Sequence, residues 1–150
     1  MYYNSYNSIC GNIILVSDGN NLIKLYFSEN KVLNTELEIF TLTKKWLDVY
    51  FNGGIPKFNL KIKIKGTPFQ IKVWKYLQSI EYGKSTNYKE IANKLNTSPR
   101  AIGNAVSKNP IAIIIPCHRV LSKDKKIIGY AYGIDKMKLL LKLEKISYKD

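Results

Sequence analysis

The chain has 150 residues, of which 45% are hydrophobic and 12% aromatic, enough apolar material for a globular core. Its longest apolar run, 111–117, is far shorter than the roughly 20 residues that a membrane-spanning helix needs. The two cysteines lie far apart, and the start of the chain shows no secretory signal pattern. These features exclude a membrane-spanning or disulfide-stapled protein and predict a reduced, cytoplasmic one.

The formal net charge of +13 is unevenly distributed along the chain. Residues 1–64 carry seven lysines against five acidic residues, whereas residues 65–150 carry seventeen basic residues against six acidic ones. The positive excess of the second part predicts attraction to phosphate groups. Only two of the 24 basic residues are arginines, Arg100 and Arg119, which indicates positions that need a planar guanidinium group.

Residues 1–64 are predicted to form a small α+β scaffold domain. Apolar alternation over 12–16 and 22–27, around a Ser-Asp-Gly-Asn-Asn turn, predicts a β-hairpin. Helical spacing of apolar residues predicts a helix over 35–51, which Asn-Gly-Gly then ends. Alternation over 58–64 predicts another strand.

Residues 65–150 are predicted to form a second, mainly helical domain. Thr67 is expected to cap a helix that begins with proline and whose apolar face runs to Ile80. Two further helices, 88–95 and 99–108, are separated by a short turn, which is the pattern of a helix-turn-helix.

The second helix of this pair carries Arg100 among small residues such as Ala101 and Gly103. Small residues let backbone approach nucleic acid closely, and a lone arginine can fill a gap in a base stack. An ordinary helical hairpin with close helix packing is the alternative. After this second helix, the apolar run 111–115 is expected to be a buried strand or extended segment. The last helix is expected to start near Ile134.

The most distinctive pair in the chain is Cys117 followed by His118, the only histidine. A thiol attacks as a thiolate, so it needs a partner that takes its proton, here through a turn or a bridging water. Glu144 could orient the imidazole. The alternative is a packed cysteine beside a satisfied histidine, with Glu144 as a surface acid. A structural zinc site is excluded, because two cysteines and one histidine cannot supply four ligands.

These residues, taken together, resemble the O6-alkylguanine-DNA alkyltransferases. The resemblance runs from about residue 8 to residue 144, and the Pro-Cys-His-Arg run flanked by aliphatic residues is the motif most typical of that family. The matching motifs are Gly66-Thr67-Pro68-Phe69-Gln70, Val73-Trp74, Tyr88, Arg100-Ala101-Ile102-Gly103, Asn109-Pro110, Ile115 to Leu121, Gly129-Tyr130, Gly133 and Glu144.

The resemblance implies an α+β fold, with an RNase H-like domain over 1–64 and a winged helix-turn-helix-like domain over 65–150 that binds DNA and holds the active site. It implies repair by direct damage reversal, in which the alkyl group of O6-alkylguanine in duplex DNA passes irreversibly to Cys117 after base flipping. O4-alkylthymine is a further candidate substrate. We expect no cofactor, no zinc and a monomer, with cooperative binding on DNA as an alternative.

The family's roles transfer to matching positions of this chain. His118 would draw the thiol proton of Cys117 through a water, with Glu144 supporting the imidazole. Tyr88 would donate a proton or hydrogen bond to the departing guanine. Asn109 would brace the turn that carries the cysteine.

The resemblance also implies the DNA and base contacts. Arg100 would fill the space vacated by the flipped base, and Arg119 would be an ion-pair partner. Tyr132 stands where some relatives have glycine, which predicts a pocket that favours methyl over benzyl adducts. The residues implied to hold DNA are Tyr88, Ser98, Pro99, Arg100, Ala101 and Gly103. Those implied to form the base pocket are Val120, Tyr130, Ala131, Tyr132 and Gly133.

Three other functions remain open from the sequence. A binding-only relative would use the same fold but lack the acceptor cysteine, whereas Cys117 is present. A transcription regulator would use the helix-turn-helix and leave the Pro-Cys-His-Arg segment without a purpose. A cysteine hydrolase would need a histidine from elsewhere in the sequence, and the chain has no second one.

Overall fold

The computed structural model describes all 150 residues and divides into two compact units, Met1–Lys65 and Gly66–Asp150. The predicted α+β fold class is confirmed. No helix is both long enough and apolar enough to cross a membrane. The elements in chain order are β1 (Tyr2–Ser8), β2 (Gly11–Ser17), β3 (Leu22–Phe27), α1 (Glu38–Phe51), α2 (Pro68–Gln78), β4 (Thr86–Asn87), α3 (Tyr88–Leu95), α4 (Pro99–Ser107), a 3-10 turn (Cys117–Arg119), β5 (Val120–Leu121) and α5 (Ile134–Leu143).

The first unit is an antiparallel three-stranded sheet in the order β1-β2-β3, with α1 packed against it. The predicted hairpin is confirmed as β2 and β3, which pair from Ile13 with Phe27 to Ser17 with Leu22. The central strand β2 is buried from Ile13 to Ser17 and forms much of the core. The edge strand β1 was not predicted, because its tyrosine, asparagine and serine residues lack the apolar alternation of a strand.

Two predictions for this unit need correction. The helix begins at Glu38 rather than at residue 35, and it has no side-chain cap at Leu37. The strand predicted over 58–64 is wrong: only Ile62 makes an isolated parallel bridge, to Leu22. The main-chain nitrogen of Leu22 donates to the oxygen of residue 61 at 2.8 Å, but the pairing does not extend into a ladder.

Side-chain caps begin three of the four α-helices of the second unit, α2, α3 and α4. The Thr67 hydroxyl accepts from the Gln70 main-chain nitrogen at 3.1 Å, and the Gln70 side chain accepts from the Thr67 main-chain nitrogen at 3.0 Å, a complete capping box. Asn87 and Ser98 cap α3 and α4 more simply, each through a side-chain oxygen that accepts from the main-chain nitrogen three residues on. The helix-turn-helix of α3 and α4 follows, with the left-handed residue Asn96, φ 57°, between them. Helix α2 ends at Gln78, before the predicted Ile80.

The apolar run 111–115 is a turn, so the predicted buried strand or extended segment is wrong. The main-chain nitrogens of residues 114 and 115 donate to the oxygens of residues 112 and 111, at 2.8 and 3.0 Å. Ile113 has φ 70°, a left-handed conformation that is rare for a β-branched residue. The run had the composition of a strand, but its chain reverses direction just before the 3-10 turn that contains Cys117. Strand β5 then pairs in parallel with β4.

Candidate active site

Cys117 is the first residue of the 3-10 turn and is 9% exposed. Burial raises the pKa of its thiol to about 11, although hydrogen bonds from the Asn109 side chain and from its own main chain act in the opposite direction. The thiol is therefore protonated at neutral pH and cannot attack until that proton is removed. The side chain lies on a cavity of about 580 Å³.

Directly after the thiol, His118 and Arg119 both bind Glu144, at the end of α5. His118 Nε2 lies 2.5 Å from Glu144 Oε2, and Arg119 Nε lies 2.8 Å from Glu144 Oε1. The exposed fractions of the three residues are 0%, 8% and 3%. The ion pair predicted for Arg119 is confirmed. Because consecutive residues of a 3-10 turn project at different angles, Cys117 reaches the cavity while its two neighbours reach the carboxylate.

The charges of this buried group determine where its protons lie. Burial acts to raise the pKa of Glu144, but hydrogen bonds from His118 and Arg119, with the positive charge of the Arg119 guanidinium, outweigh it and hold the pKa at about 2. Burial lowers the pKa of His118, against the opposing effect of Glu144. We therefore assign a neutral imidazole that donates its Nε2 proton to an ionised carboxylate, which makes Nδ1 the basic nitrogen.

The loop after α2 also holds this group in place. The main-chain nitrogen of Gly83 donates to Glu144 Oε1 at 3.1 Å, and Arg119 Nη1 donates to the Ile80 oxygen at 2.7 Å. The guanidinium carbon lies 5.9 Å from the centre of the Tyr82 ring, over its face. Sequence reasoning marked this segment only as a turn. Main-chain contacts of this kind carry no residue-type signal, so it could not have assigned them.

Asn109 spans the turn that precedes the cysteine. Its Nδ2 donates to the Ile115 oxygen at 2.7 Å, and its Oδ1 accepts from the Ile111 nitrogen at 3.0 Å. These two bonds join both ends of the turn that contains the left-handed Ile113, a conformation that costs of order 1–3 kcal/mol and needs such support. The Asn109 side chain also reaches the cavity beside Cys117.

Tyr88, the first residue of α3, lines the same cavity as Cys117. Burial, and then the nearby Cys117, raise the pKa of the Tyr88 phenol, so it stays protonated well above neutral pH. A methyl group built on Gly103 of α4 would lie 3.8 Å from the Tyr88 ring, in ordinary contact. The ring of Tyr88 thus packs against α4, the second helix of the helix-turn-helix.

Helix α4 supplies one side of the cavity. Of the residues predicted to hold DNA, Pro99, Arg100 and Gly103 line the cavity together with Tyr88. The other two predicted residues, Ser98 and Ala101, do not line the cavity. Ser98 instead caps α4, because its hydroxyl accepts from the Ala101 nitrogen at 3.2 Å.

The opposite side of the cavity is the loop before α5. Tyr130, Ala131 and Tyr132 line the cavity, and the two tyrosine rings meet edge to face with their centres 5.6 Å apart. Val120 does not line the cavity, because its side chain is buried at 1% exposure. Gly133 lies outside this cavity as the N-cap of α5.

Four residues of the cavity lie outside the set predicted for the site, although the resemblance had matched the Gly129-Tyr130 motif: Val106, Ser107, Ile128 and Gly129. The first two lie one helical turn beyond Gly103 on α4, so helical spacing from Arg100 and Gly103 was the signal that could have found them. The other two directly precede the predicted Tyr130, and only the loop's path brings them to the cavity.

Family comparisons cover nearly the whole chain. The ribonuclease-like domain of 6-O-methylguanine DNA methyltransferases matches residues 1–64, and the DNA-binding domain of the same family matches residues 68–146. The chain belongs to the 6-O-methylguanine DNA methyltransferase family. The resemblance found in the sequence is thereby confirmed.

Individual relatives match this family member along nearly its full length. A methylated-DNA–protein-cysteine methyltransferase of Methanosarcina barkeri is 42% identical over 156 residues, which is 96% of this chain and 97% of the relative. One from Haemophilus influenzae is 38% identical over 160 residues, covering 100% and 89%. The crystal structure of Mycobacterium tuberculosis OGT in complex with DNA superimposes with a TM-score of 0.88 at 36% identity, covering 97% of this chain and 93% of that one.

Proposed function

We propose that this methyltransferase repairs duplex DNA by moving the alkyl group of O6-alkylguanine to Cys117, with O4-alkylthymine as a further substrate. The observation that carries the proposal is a buried thiol on a cavity between the helix-turn-helix and an aromatic loop, followed in the chain by His118, whose ring bonds the buried Glu144. The relatives named above share this chain's full length and are named for the same transfer.

In the proposed reaction the Cys117 sulfur attacks the alkyl carbon in line with the departing O6. A sulfur–carbon bond forms and the carbon–oxygen bond breaks, so no electrons enter or leave the system. The thiol proton passes to His118 Nδ1 through a water, and the ionised Glu144 stabilises the imidazolium that results. A thioether has no good leaving group, so each molecule acts once.

Departure of the guanine needs a proton donor, because a guanine anion is a poor leaving group at neutral pH. Tyr88 is suited to this role, since its raised pKa keeps it protonated beside the thiol. Asn109 is a positioning residue in this proposal. Its two hydrogen bonds hold the strained turn that places the cysteine.

DNA is proposed to lie across α4, with the lesion flipped into the cavity. Base flipping costs a few kcal/mol, and less for a lesion that pairs badly. Arg100 fills the vacated stack, while Ser98, Pro99, Ala101 and Gly103 keep that surface small enough for close approach. Tyr130, Ala131, Tyr132 and Gly133 belong to the loop that covers the seated base, and main chain around Cys117 and Val120 reads its edge. In this proposal residues 1–64 are a scaffold, residues 65–150 perform the chemistry, and the protein acts as a monomer.

The test is incubation with duplex DNA that contains O6-methylguanine, followed by intact-protein and peptide mass spectrometry. We expect one methyl group per molecule, located on Cys117. Cys117→Ser should acquire none, and Cys10→Ser should still acquire one because Cys10 lies in the other unit. Tight DNA binding without an adduct would show a binding-only protein instead.

A further inference from the structure

The chain continues past Glu144 in a defined conformation. Lys145 is left-handed, with φ 59°, and its nitrogen donates to the Lys142 oxygen at 3.0 Å. The next nitrogen, of Ile146, donates to the Leu141 oxygen at 2.9 Å, which completes a Schellman motif. Ile146 is thereby buried at 7% exposure. The segment that follows, Ile146–Lys149, is called the strap below.

The strap ends against a closed turn, residues 122–126. The Ser122 nitrogen donates to the Lys126 oxygen, and the Lys126 nitrogen donates to the Ser122 hydroxyl, both at 2.9 Å. The main-chain nitrogen of Lys149 donates to the Lys125 oxygen at 2.9 Å, and Lys149 forms a parallel bridge with Lys126. The turn is therefore attached to the strap through main-chain contacts.

This turn leads directly into the residues 128–132 that line the cavity, called the wall below. The wall contains no helix or strand, so contacts at its ends and through its side chains must set its position. A buried cluster supplies the side-chain contacts, and strap and wall residues both pack in it. Its buried members are Leu121, Met137, Leu141 and Ile146, with Ile127, Tyr130 and Tyr148 packed against them.

We propose that the strap positions the wall for the alkylated base, with Tyr148 and the main-chain nitrogen of Lys149 as positioning groups. The strap starts directly after the segment that carries Glu144, which binds His118, and ends at the turn that begins the wall. It thus sets the distance between the proton-handling group and the cover over the base. This inference rests on the proposed alkyl transfer and assigns a task to a segment outside the cavity.

Lys149→Pro tests the proposal, because proline lacks the nitrogen-bound hydrogen that Lys149 donates to Lys125. Lys149→Ala is the matched control, since it keeps that donor and loses the same exposed side chain. Hydrogen exchange by mass spectrometry should show faster exchange at residues 122–132 in the proline variant alone. This measurement needs no substrate, so it tests the strap even if wild-type protein transfers no methyl group.

Two rates then separate positioning from general damage. We expect Lys149→Pro to slow methyl transfer from O6-methylguanine duplex about fivefold, the size expected for one lost main-chain hydrogen bond. Alkylation of Cys117 by iodoacetamide, measured against pH, should not become slower and should keep its midpoint pH, because the thiol and His118 are untouched and a looser wall does not block the reagent. Lys149→Ala should match wild type in both.

Three outcomes would overturn the positioning role proposed for the strap. They are unchanged exchange at 122–132, unchanged methyl transfer in Lys149→Pro, and an equal slowing of methyl transfer and iodoacetamide alkylation. If the proline variant does not fold, Tyr148→Ala provides the same comparison through the buried cluster, with Tyr148→Phe as its control. A wild-type protein that transfers no methyl group would refute the proposed function and leave the exchange result to decide on the strap.

Discussion

Glu144 is the residue on which the candidate site depends most. Its carboxylate accepts from the ring of His118, the guanidinium of Arg119 and the main chain of Gly83, at 3% exposure. A buried charge is costly unless it is paired and hydrogen-bonded, and here both conditions are met. The same contacts that keep the carboxylate ionised also orient the imidazole behind Cys117. The Glu144 carboxylate therefore contributes both to the stability of the fold and to the proposed chemistry.

The first prediction concerns the pH dependence of stability. The pKa of Glu144 is about 2 in the folded protein against 4.5 for an ordinary glutamate, so its contribution is complete above about pH 4.5 and is lost as the pH falls toward 2. That shift corresponds to roughly 3 kcal/mol. In urea unfolding, the stability difference between wild type and Glu144→Gln should shrink as the pH falls from about 6 to about 3. A difference that does not change with pH would contradict the assignment.

The second prediction concerns the size of the alkyl group. Tyr132 lines the cavity and meets Tyr130 edge to face, so two rings occupy the space where a large adduct would lie. We expect wild type to transfer methyl faster than benzyl from matched duplexes, and Tyr132→Gly to increase the benzyl rate relative to the methyl rate. Tyr132→Phe is the control and should keep the wild-type preference. Equal rates for the two adducts in wild type would show that Tyr132 does not restrict the pocket.

At the scale of elements, helices that carry their own start signals were predictable from sequence. Thr67, Asn87 and Ser98 each cap the helix that follows, and proline follows two of them. These signals are local, because a capping side chain bonds to a nitrogen only three residues away. The predicted helix at 35–51 has no side-chain cap, and there the predicted start was three residues early.

Elements that depend on distant partners were not predictable. Strand β1 is polar in sequence and exists because β2 pairs with it along all seven residues. The alternation over 58–64 is that of a strand, yet only Ile62 bridges to a neighbour. The run 111–115 has the composition of a buried strand, but hydrogen bonds from Asn109 close it into a turn. In each case long-range pairing or a side-chain bond decided the structure.

The candidate site divides in the same way. Cys117, His118 and Glu144 could be singled out because each is chemically unusual for its surroundings, and the fold places the last two in contact. Gly83, Ile80 and Ser107 carry no such mark. They reach the site through main-chain atoms or helical position, which only the fold reveals.

The third prediction tests the end of α5. Lys145 is left-handed at the position where glycine is usual, a conformation that disfavours side chains by about 1 kcal/mol. Lys145→Gly should therefore raise the unfolding free energy by about that amount. Lys142→Gly, an exposed substitution inside the same helix, should lower it by a similar amount. Chemical unfolding of both variants checks the opposite signs, and a loss of stability in both would contradict the left-handed assignment.

At the scale of the whole molecule, charge and chemistry are concentrated in the same half of the chain. Residues 65–150 hold seventeen basic residues against six acidic ones, and the cavity lies within this part. Residues 1–64 carry only a small positive excess, seven lysines against five acidic residues. Because phosphate contacts supply most of the non-specific affinity for DNA, the second unit should dominate binding and its salt dependence.

The fourth prediction follows from this asymmetry. Lys89 and Lys108 are both exposed: Lys89 follows Tyr88 at the start of α3, and Lys108 lies at the end of α4. Replacing both with glutamine should therefore weaken DNA binding. The slope of the logarithm of affinity against the logarithm of salt concentration should become less negative by about 0.9 for each phosphate that the variant no longer neutralises. Lys24→Gln with Lys45→Gln removes the same charge from exposed positions in the first unit and should leave both the affinity and the slope near wild type. Fluorescence anisotropy with undamaged duplex at several salt concentrations measures both quantities. Equal decreases in affinity for the two pairs would show that net charge alone, rather than its placement around the helix-turn-helix, governs binding.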